Sequence, residues 1–234
     1  YAMTLVRYDF SKGEPEYMAA GFNKNDLSLP YAYTASNVSI NIFSRASFPI
    51  YDMDIETKDR YLMNLKKLPD YVRVTAAVSF PVDLTMDQLV DLKRKSSQID
   101  FLWAGIRNAP EEEQRYPLCG MELTGSGYIY EKINDSYPGF ELAADSEYGN
   151  YSASDYETHF ISLLQYSIDH PDFLNALDGF EDYPSFYQSV LEYVKKDGVK
   201  TYGVLVNGSA SDILALQDNG IISQIWPLDA DISF

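Results

Sequence analysis

One cysteine and two histidines among 234 residues remove much ordinary site chemistry at the outset. Cys119 alone builds no internal disulfide framework and no cysteine-based zinc site. His159 and His170 stand eleven residues apart, within and at the end of one expected helix, so they do not meet on one metal without a sharp bend. Cations are scarce: 18 Lys and Arg face 35 Asp and Glu, for a formal net charge of -17. Such a surface repels phosphate backbones, which excludes nucleic acid as an expected partner. No apolar run reaches the length of a membrane-spanning helix. There is no G-x-x-x-x-G-K-[ST] phosphate loop, no G-x-G-x-x-G fingerprint and no G-x-S-x-G elbow, Gly125-Ser126-Gly127 being too short for one. The chain opens Tyr1-Ala2-Met3-Thr4, with neither an initiator Met nor a signal peptide, so a piece of a longer protein, cut at its amino end, is expected.

What is present is globular. Apolar residues make up 46% and charged residues 23%, enough to bury a core in one large domain or two small ones. Tyr and Phe number 20 and 12, an enrichment that suits half-buried strands and equally a recognition surface. The acidity is uneven: residues 133–194 hold twelve Asp or Glu and no Lys or Arg. A solvated, solubilising face explains that stretch. A calcium site is the sharper alternative, yet neither Asp52-Met53-Asp54-Ile55-Glu56 nor Asp178-Gly179-Phe180-Glu181-Asp182 has a recognised loop spacing.

The first seventy residues read as strands between loops, with alternation at Thr4–Tyr8 and at Val38–Phe43 and loop formers at Gly21, Asn23–Asp26 and Pro30. A clearer pattern follows. Val72–Phe80 is a β-branched strand between Pro69 and Pro81. Thr85-Met86-Asp87-Gln88 is a capping box opening a helix with Met86, Leu89, Val90 and Leu92 inward and Lys93, Arg94 and Lys95 in its last turn. Ile99–Ile106 is the return strand. A similar unit closes the chain. Val199–Val206 is a strand ended by Asn207-Gly208, Ser209 or Ser211 caps a helix carrying Ile213, Leu214 and Leu216 that stops at Asn219-Gly220, and Ile221–Trp226 returns until Pro227. Between the units, a capping box at Ser154-Asp155-Tyr156-Glu157 predicts a helix with Phe160, Leu163, Leu164 and Ile168 on one face, ending near His170-Pro171. Pro184 starts another, through Phe186, Val190 and Val194 to Lys195-Lys196.

These patterns predict an α+β fold: a ferredoxin-like core of two βαβ units with helices packed on a largely antiparallel sheet, plus N-terminal strands. The expected organisation is a strand-rich extension over 1–70 packed on a domain over 71–234, or one continuous domain over 1–234. No residue is assigned a catalytic, cofactor-binding or metal-ligating role, and no cofactor is expected. His159 and His170 read as structural or capping residues, Cys119 as a small hydrophobe, and Trp103 and Trp226 as packing anchors in strands. Glu111-Glu112-Glu113 reads as a solvated loop. Gly203 and Gly208 bracket the way into the last helix, whose start could hold an anion, but Asp212 sits in its first turn and fills that place.

The two units also carry a resemblance. Val74–Phe80, Leu84–Leu89 and Phe101–Ile106 resemble the sigma-factor regulator C-terminal domain, with its strand ending in VSF, its LT-x-x-x-L helix start and its WxG return strand. Tyr202–Gly208 with Ile213–Leu216 resembles the same family's YGVVVTG and short Leu-rich helix, and Tyr116-Pro117-Leu118 with Gly120 its mid-domain segment. The likeness covers about residues 72–228. It implies a membrane-anchored anti-sigma factor of Gram-positive bacteria. A cytoplasmic segment would hold an extracytoplasmic-function sigma factor, one N-terminal helix would cross the membrane, and this non-catalytic domain would lie outside as sensor or scaffold. The partners so implied are the sigma factor, through that cytoplasmic segment, and an envelope protein or ligand outside, which the acidic 133–194 stretch would face. Two alternatives stay open: a secreted or lipid-anchored binding module for envelope saccharide or peptide, and a hydrolase working with paired carboxylates.

Overall fold

The computed structural model describes residues 2–9, 14–21, 55–110, 119–124, 135–142, 151–171 and 183–232. Its elements run β1 (Ala2–Asp9), β2 (Glu14–Gly21), α1 (Ile55–Leu65), β3 (Val72–Thr85), α2 (Met86–Lys95), β4 (Asp100–Ile106), β5 (Cys119–Glu122), α3 (Ala153–Asp169), α4 (Tyr183–Asp197), β6 (Lys200–Ser209), α5 (Ala210–Ala215) and β7 (Gln224–Ile232). The class is α+β, with an antiparallel five-stranded sheet in the order β5-β4-β6-β3-β7. The strands joined by α2 are thus separated by β6, and those joined by α5 by β3, so the two strand–helix–strand units interleave. β1 and β2 pair with each other in a separate two-stranded sheet, Ala2 opposite Gly21 through Asp9 opposite Glu14.

Chain contacts divide the protein into two compact units, one of Tyr1–Pro81, Ser96–Phe101 and Gly203–Phe234, the other of Val82–Lys95 and Leu102–Tyr202. In the first, Val74 to Phe80 are all buried. Consecutive strand residues face opposite sides, so both faces of β3 are covered there, which suits its β-branched run. β7 pairs with β3 from Val72↔Ile232 to Ser79↔Gln224, with a register shift between Thr75 and Ala76. Thr75 lies opposite Asp229 and Ala76 opposite Pro227, leaving Leu228 as the extra residue of a bulge. That explains one departure from expectation: Pro227 does not stop the return strand, because β7 is an edge strand and proline is tolerated at a bulge. Pro81 likewise does not end β3. Pairing with β7 stops at Ser79, so Pro81 owes that strand no N–H. Asn207-Gly208 does not end β6 either. The Asn207 amide Nδ2 donates to Thr75 Oγ1 at 3.0 Å and Oδ1 accepts from Arg73 Nε at 2.8 Å, holding the residue in the strand. Ser209 then caps α5, accepting from the Asp212 N–H at 3.1 Å, and the chain leaves through a 3₁₀ turn to Gly220 in the left-handed conformation, φ 67°.

In the second unit the expected box at Thr85 forms: the Thr85 N–H donates to Gln88 Oε1 at 2.9 Å, and the Gln88 N–H to Thr85 Oγ1 at 3.3 Å. Met86, Leu89, Val90 and Leu92 are buried as predicted. For α3 the cap lies two residues earlier than expected. Ser152 Oγ accepts from the Asp155 N–H at 3.2 Å while Asp155 Oδ2 accepts from the Ser152 N–H at 2.7 Å, so Asp155 is the far member of the box rather than a residue inside it. α4 begins at Tyr183, buries Phe186, Val190, Leu191 and Val194, and is followed by Gly198 at φ 83°. Two elements add to the expected set: α1, in a stretch where strands and loops are expected, and the short strand β5, for which no range is expected. The predicted strand Val38–Phe43, the loops at Asn23–Asp26 and Pro30, Glu111–Glu113, Gly125–Gly127 and Asp178–Asp182 lie outside the described residues, as do Asp52–Asp54.

Candidate functional site

Among the described residues no group of three His, Cys, Asp or Glu side chains could hold a metal ion. The polar side chains that burial brings together form four clusters, one in the first unit and three in the second.

In the first unit Arg73 reaches across from the start of β3, its Nη2 donating to Asp100 Oδ2 at 2.5 Å and to the Asn207 carbonyl at 3.2 Å. Asp100 is largely exposed, and such a pair contributes little beyond fixing strand ends. Trp226, the expected packing anchor of the last strand, is half-buried and stacks on Tyr61 of α1 at 5.1 Å between ring centroids.

The second unit shows why the quoted motifs pack as they do. Gly105 of β4 lies opposite Gly120 of β5. A Cβ on Gly120 would fall 1.8 Å from the Trp103 indole, and one on Gly105 would fall 2.7 Å from the Tyr202 ring. Each glycine is there because an aromatic ring occupies the space of its side chain. Trp103 is thereby a core residue, 6% exposed. The buried Tyr202 ring in turn lies under the Arg107 guanidinium, 5.1 Å from its centroid. Arg107 Nε and Nη2 clasp Asp83 Oδ2 and Oδ1 at 2.7 and 2.6 Å, with the arginine side chain 4% exposed and the aspartate 23%. A buried guanidinium needs such a two-pronged partner. Burial pushes the Cys119 thiol up to about 12, against the opposing pull of a hydrogen bond from Asn108, so it is a small hydrophobe and not a nucleophile.

The second polar cluster centres on Lys93 of α2. Its Nζ donates to Tyr156 Oη and to the Leu123 carbonyl, the latter at 3.2 Å, while Tyr156 Oη donates to the same carbonyl at 3.0 Å. Burial lowers the lysine to about 8. This triangle ties α2 to α3 through the end of β5, and burial raises the pKa of the Tyr156 hydroxyl, which keeps its proton.

The third is a surface. Residues 135–142 form a strap laid along α3. His159 Nδ1 bonds the Gly139 carbonyl at 2.9 Å, Ser162 Oγ donates to the Pro138 carbonyl at 2.5 Å, and Tyr137 Oη donates to Asp169 Oδ2 at 3.0 Å. Gly139 has φ 71°, the left-handed bend that lets the strap turn against the helix. Burial outweighs the Gly139 and Phe140 carbonyls and the Glu122 carboxylate and lowers the pKa of His159. His159 is a buried fastener, as read from sequence, and His170 caps α3, its Nδ1 2.9 Å from the Tyr166 carbonyl. At that end of the helix the rings gather: Tyr166 stacks on His170 at 4.1 Å, Phe140 lies 4.7 Å from Tyr166, and Tyr137 meets Tyr166 edge-on at 5.3 Å. Tyr137, Phe140 and Tyr166 are half-buried and His170 exposed.

Of these four clusters only the strap and the C-terminal end of α3 offer an outward face with both rings and charge. Sequence reasoning located the acidic stretch but not this cluster, whose members lie up to 33 residues apart. It also missed the Arg107–Asp83 pair, because ending β3 at Pro81 removed Asp83 from the sheet. A family model described as sigma factor regulator C-terminal matches residues 65–225, well over half of the chain. No curated protein and no solved structure matches it.

Proposed function

The chain belongs to the sigma factor regulator C-terminal family, and from that premise we propose that it is the extracellular sensory or scaffolding domain of a membrane-anchored anti-sigma factor. The family is regulatory, and control of a sigma factor through the regulator is the role it supports. In our reading the controlled protein is an extracytoplasmic-function sigma factor of a Gram-positive bacterium, held by a cytoplasmic segment, with one helix crossing the membrane and this domain outside. Among the described residues no helix is long and apolar enough to cross a membrane. The acidic 133–194 stretch faces an envelope partner.

The observation that carries the reading is the family match together with the packing role of its motifs. Gly105 yields its side-chain space to the Tyr202 ring and Gly120 yields its own to Trp103, and both rings are buried in the core. A signal would work by favouring one of two states of the domain and so changing the hold on sigma. The strand order also supports the ferredoxin-like description, since β6 sits between β3 and β4 and β3 between β6 and β7.

The test uses the full-length gene product. Tagged, extracted in mild detergent and purified, it should bring down a sigma factor identifiable by mass spectrometry. Recovery as a soluble, sigma-free protein would overturn the proposal and favour an envelope binding module.

A further inference from the structure

The end of α3 joins a carboxylate to a set of rings: Tyr137 Oη and Gln165 Nε2 donate to Asp169, and His170 stacks on Tyr166 with its Nδ1 against the Tyr166 carbonyl. A helix C-terminus carries a partial negative charge that a cation in the last turn relieves. α2 has Lys93, Arg94 and Lys95 there, and α4 has Lys195 and Lys196, whereas α3 has no basic residue in its last turn and carries Asp169. Beside that carboxylate lie Tyr137, Phe140 and Tyr166, whose ring faces are themselves electron-rich. In sequence, Asp169 belongs to the 133–194 stretch, which has twelve acids and no Lys or Arg. Three bonds from the strap to α3 fix the rings in advance, so little freedom is lost when something settles on them. Carboxylate, helix end and ring faces all favour positive charge, and rings of this kind favour it most when the cation sheds part of its water against them.

We propose that Tyr137, Phe140, Tyr166 and Asp169 form a docking surface for a lysine- or arginine-bearing segment of a partner protein. The cationic head lies beside the Asp169 carboxylate and against the rings, and its aliphatic stem covers the apolar ring edges. This deepens the partner-facing reading of the acidic stretch and rests on it.

The experiment titrates the full 234-residue chain at pH 7.5 and 150 mM NaCl with three labelled octapeptides, alternating glycine with lysine, arginine or glutamate, followed by fluorescence anisotropy and by amide NMR shifts. Saturable binding of the two basic peptides, with shifts concentrated at residues 135–142 and 166–170, is expected. Asp169→Asn and Tyr166→Leu should each weaken it about threefold or more. Glu157→Gln, which removes the same charge from an exposed position on the same helix, should change it less than that. Thermal melts establish that each variant is folded, and Asp169 is exposed enough for its amide to be accommodated. Equal weakening by Glu157→Gln and Asp169→Asn would mean diffuse attraction to an acidic protein and would overturn the site. So would failure of the basic peptides to saturate. Binding of phosphatidylcholine vesicles with the same residue dependence, without peptide binding, would overturn it in favour of a quaternary ammonium headgroup. Failure of sigma to co-purify, with peptide binding intact, would remove the anti-sigma reading and leave the docking surface.

Discussion

Buried titratable side chains in this protein are settled in three different ways. Arg107 keeps its charge because Asp83 meets it with two oxygens and Tyr202 offers a ring face. Lys93 has only neutral oxygens, so burial lowers its affinity for the proton. His159 has the Gly139 and Phe140 backbone and the Glu122 charge favouring its proton, and burial prevails over all of them. The histidine makes the sharpest residue-scale prediction. Unfolded, it takes up a proton near its ordinary 6.5, and folded only at lower pH. Between those values the unfolded chain binds more protons, so stability present above pH 6.5 declines as pH falls and is fully lost below the folded value. Urea midpoints between pH 8 and 5.5 should therefore fall for the natural protein, and His159→Gln should flatten that slope. Parallel profiles for the two proteins would show that carboxylates elsewhere carry the whole effect.

Elements show best where the sequence could be read and where it could not. The box at Thr85 needed only local chemistry, a hydroxyl and an amide three residues apart ahead of an apolar stripe, and it formed as expected. The box on α3 was misplaced because Ser152 and Ser154 both precede a carboxylate at the right spacing, and only the turn geometry selects between them. The observed choice predicts that Ser152→Ala costs about 1 kcal/mol of stability while Ser154→Ala stays within about 0.5 kcal/mol, read from urea unfolding. The reverse order would return the cap to Ser154. Longer-range decisions were less legible. Proline reads locally as a strand breaker, yet Pro81 and Pro227 sit inside strands because pairing with β7 has ended beside one and a bulge accommodates the other. Gly120 shows no local strand signal, and its place in β5 follows from Trp103, seventeen residues away, needing the space. The ring cluster on α3 was invisible for the same reason, since Tyr137 and Phe140 reach Tyr166 only after the strap folds back.

For the whole molecule, a net charge of -17 matters in a way no single pair does. Among the described residues, the solvent-accessible ion pairs Arg73–Asp100 and Arg94–Asp91 lose their small contribution as salt screens them, while the Arg107–Asp83 pair is shielded by burial. Against this stands repulsion among 35 carboxylates facing 18 cations, concentrated where residues 133–194 have no counter-charge. Repulsion of this kind opposes the compact state and is screened over the same range. With a net excess of negative charge of this size, the repulsion dominates the response. Raising NaCl from 0.02 to 0.5 M should stabilise the protein by about 1 kcal/mol, seen as an increase of about 2–4 °C in Tm. A Tm that falls with salt would mean that attractive surface pairs outweigh the repulsion, and that the acids of 133–194 are already neutralised by contacts within the fold. That outcome would also weaken the docking surface on α3, which requires those carboxylates to be available to a cation from outside.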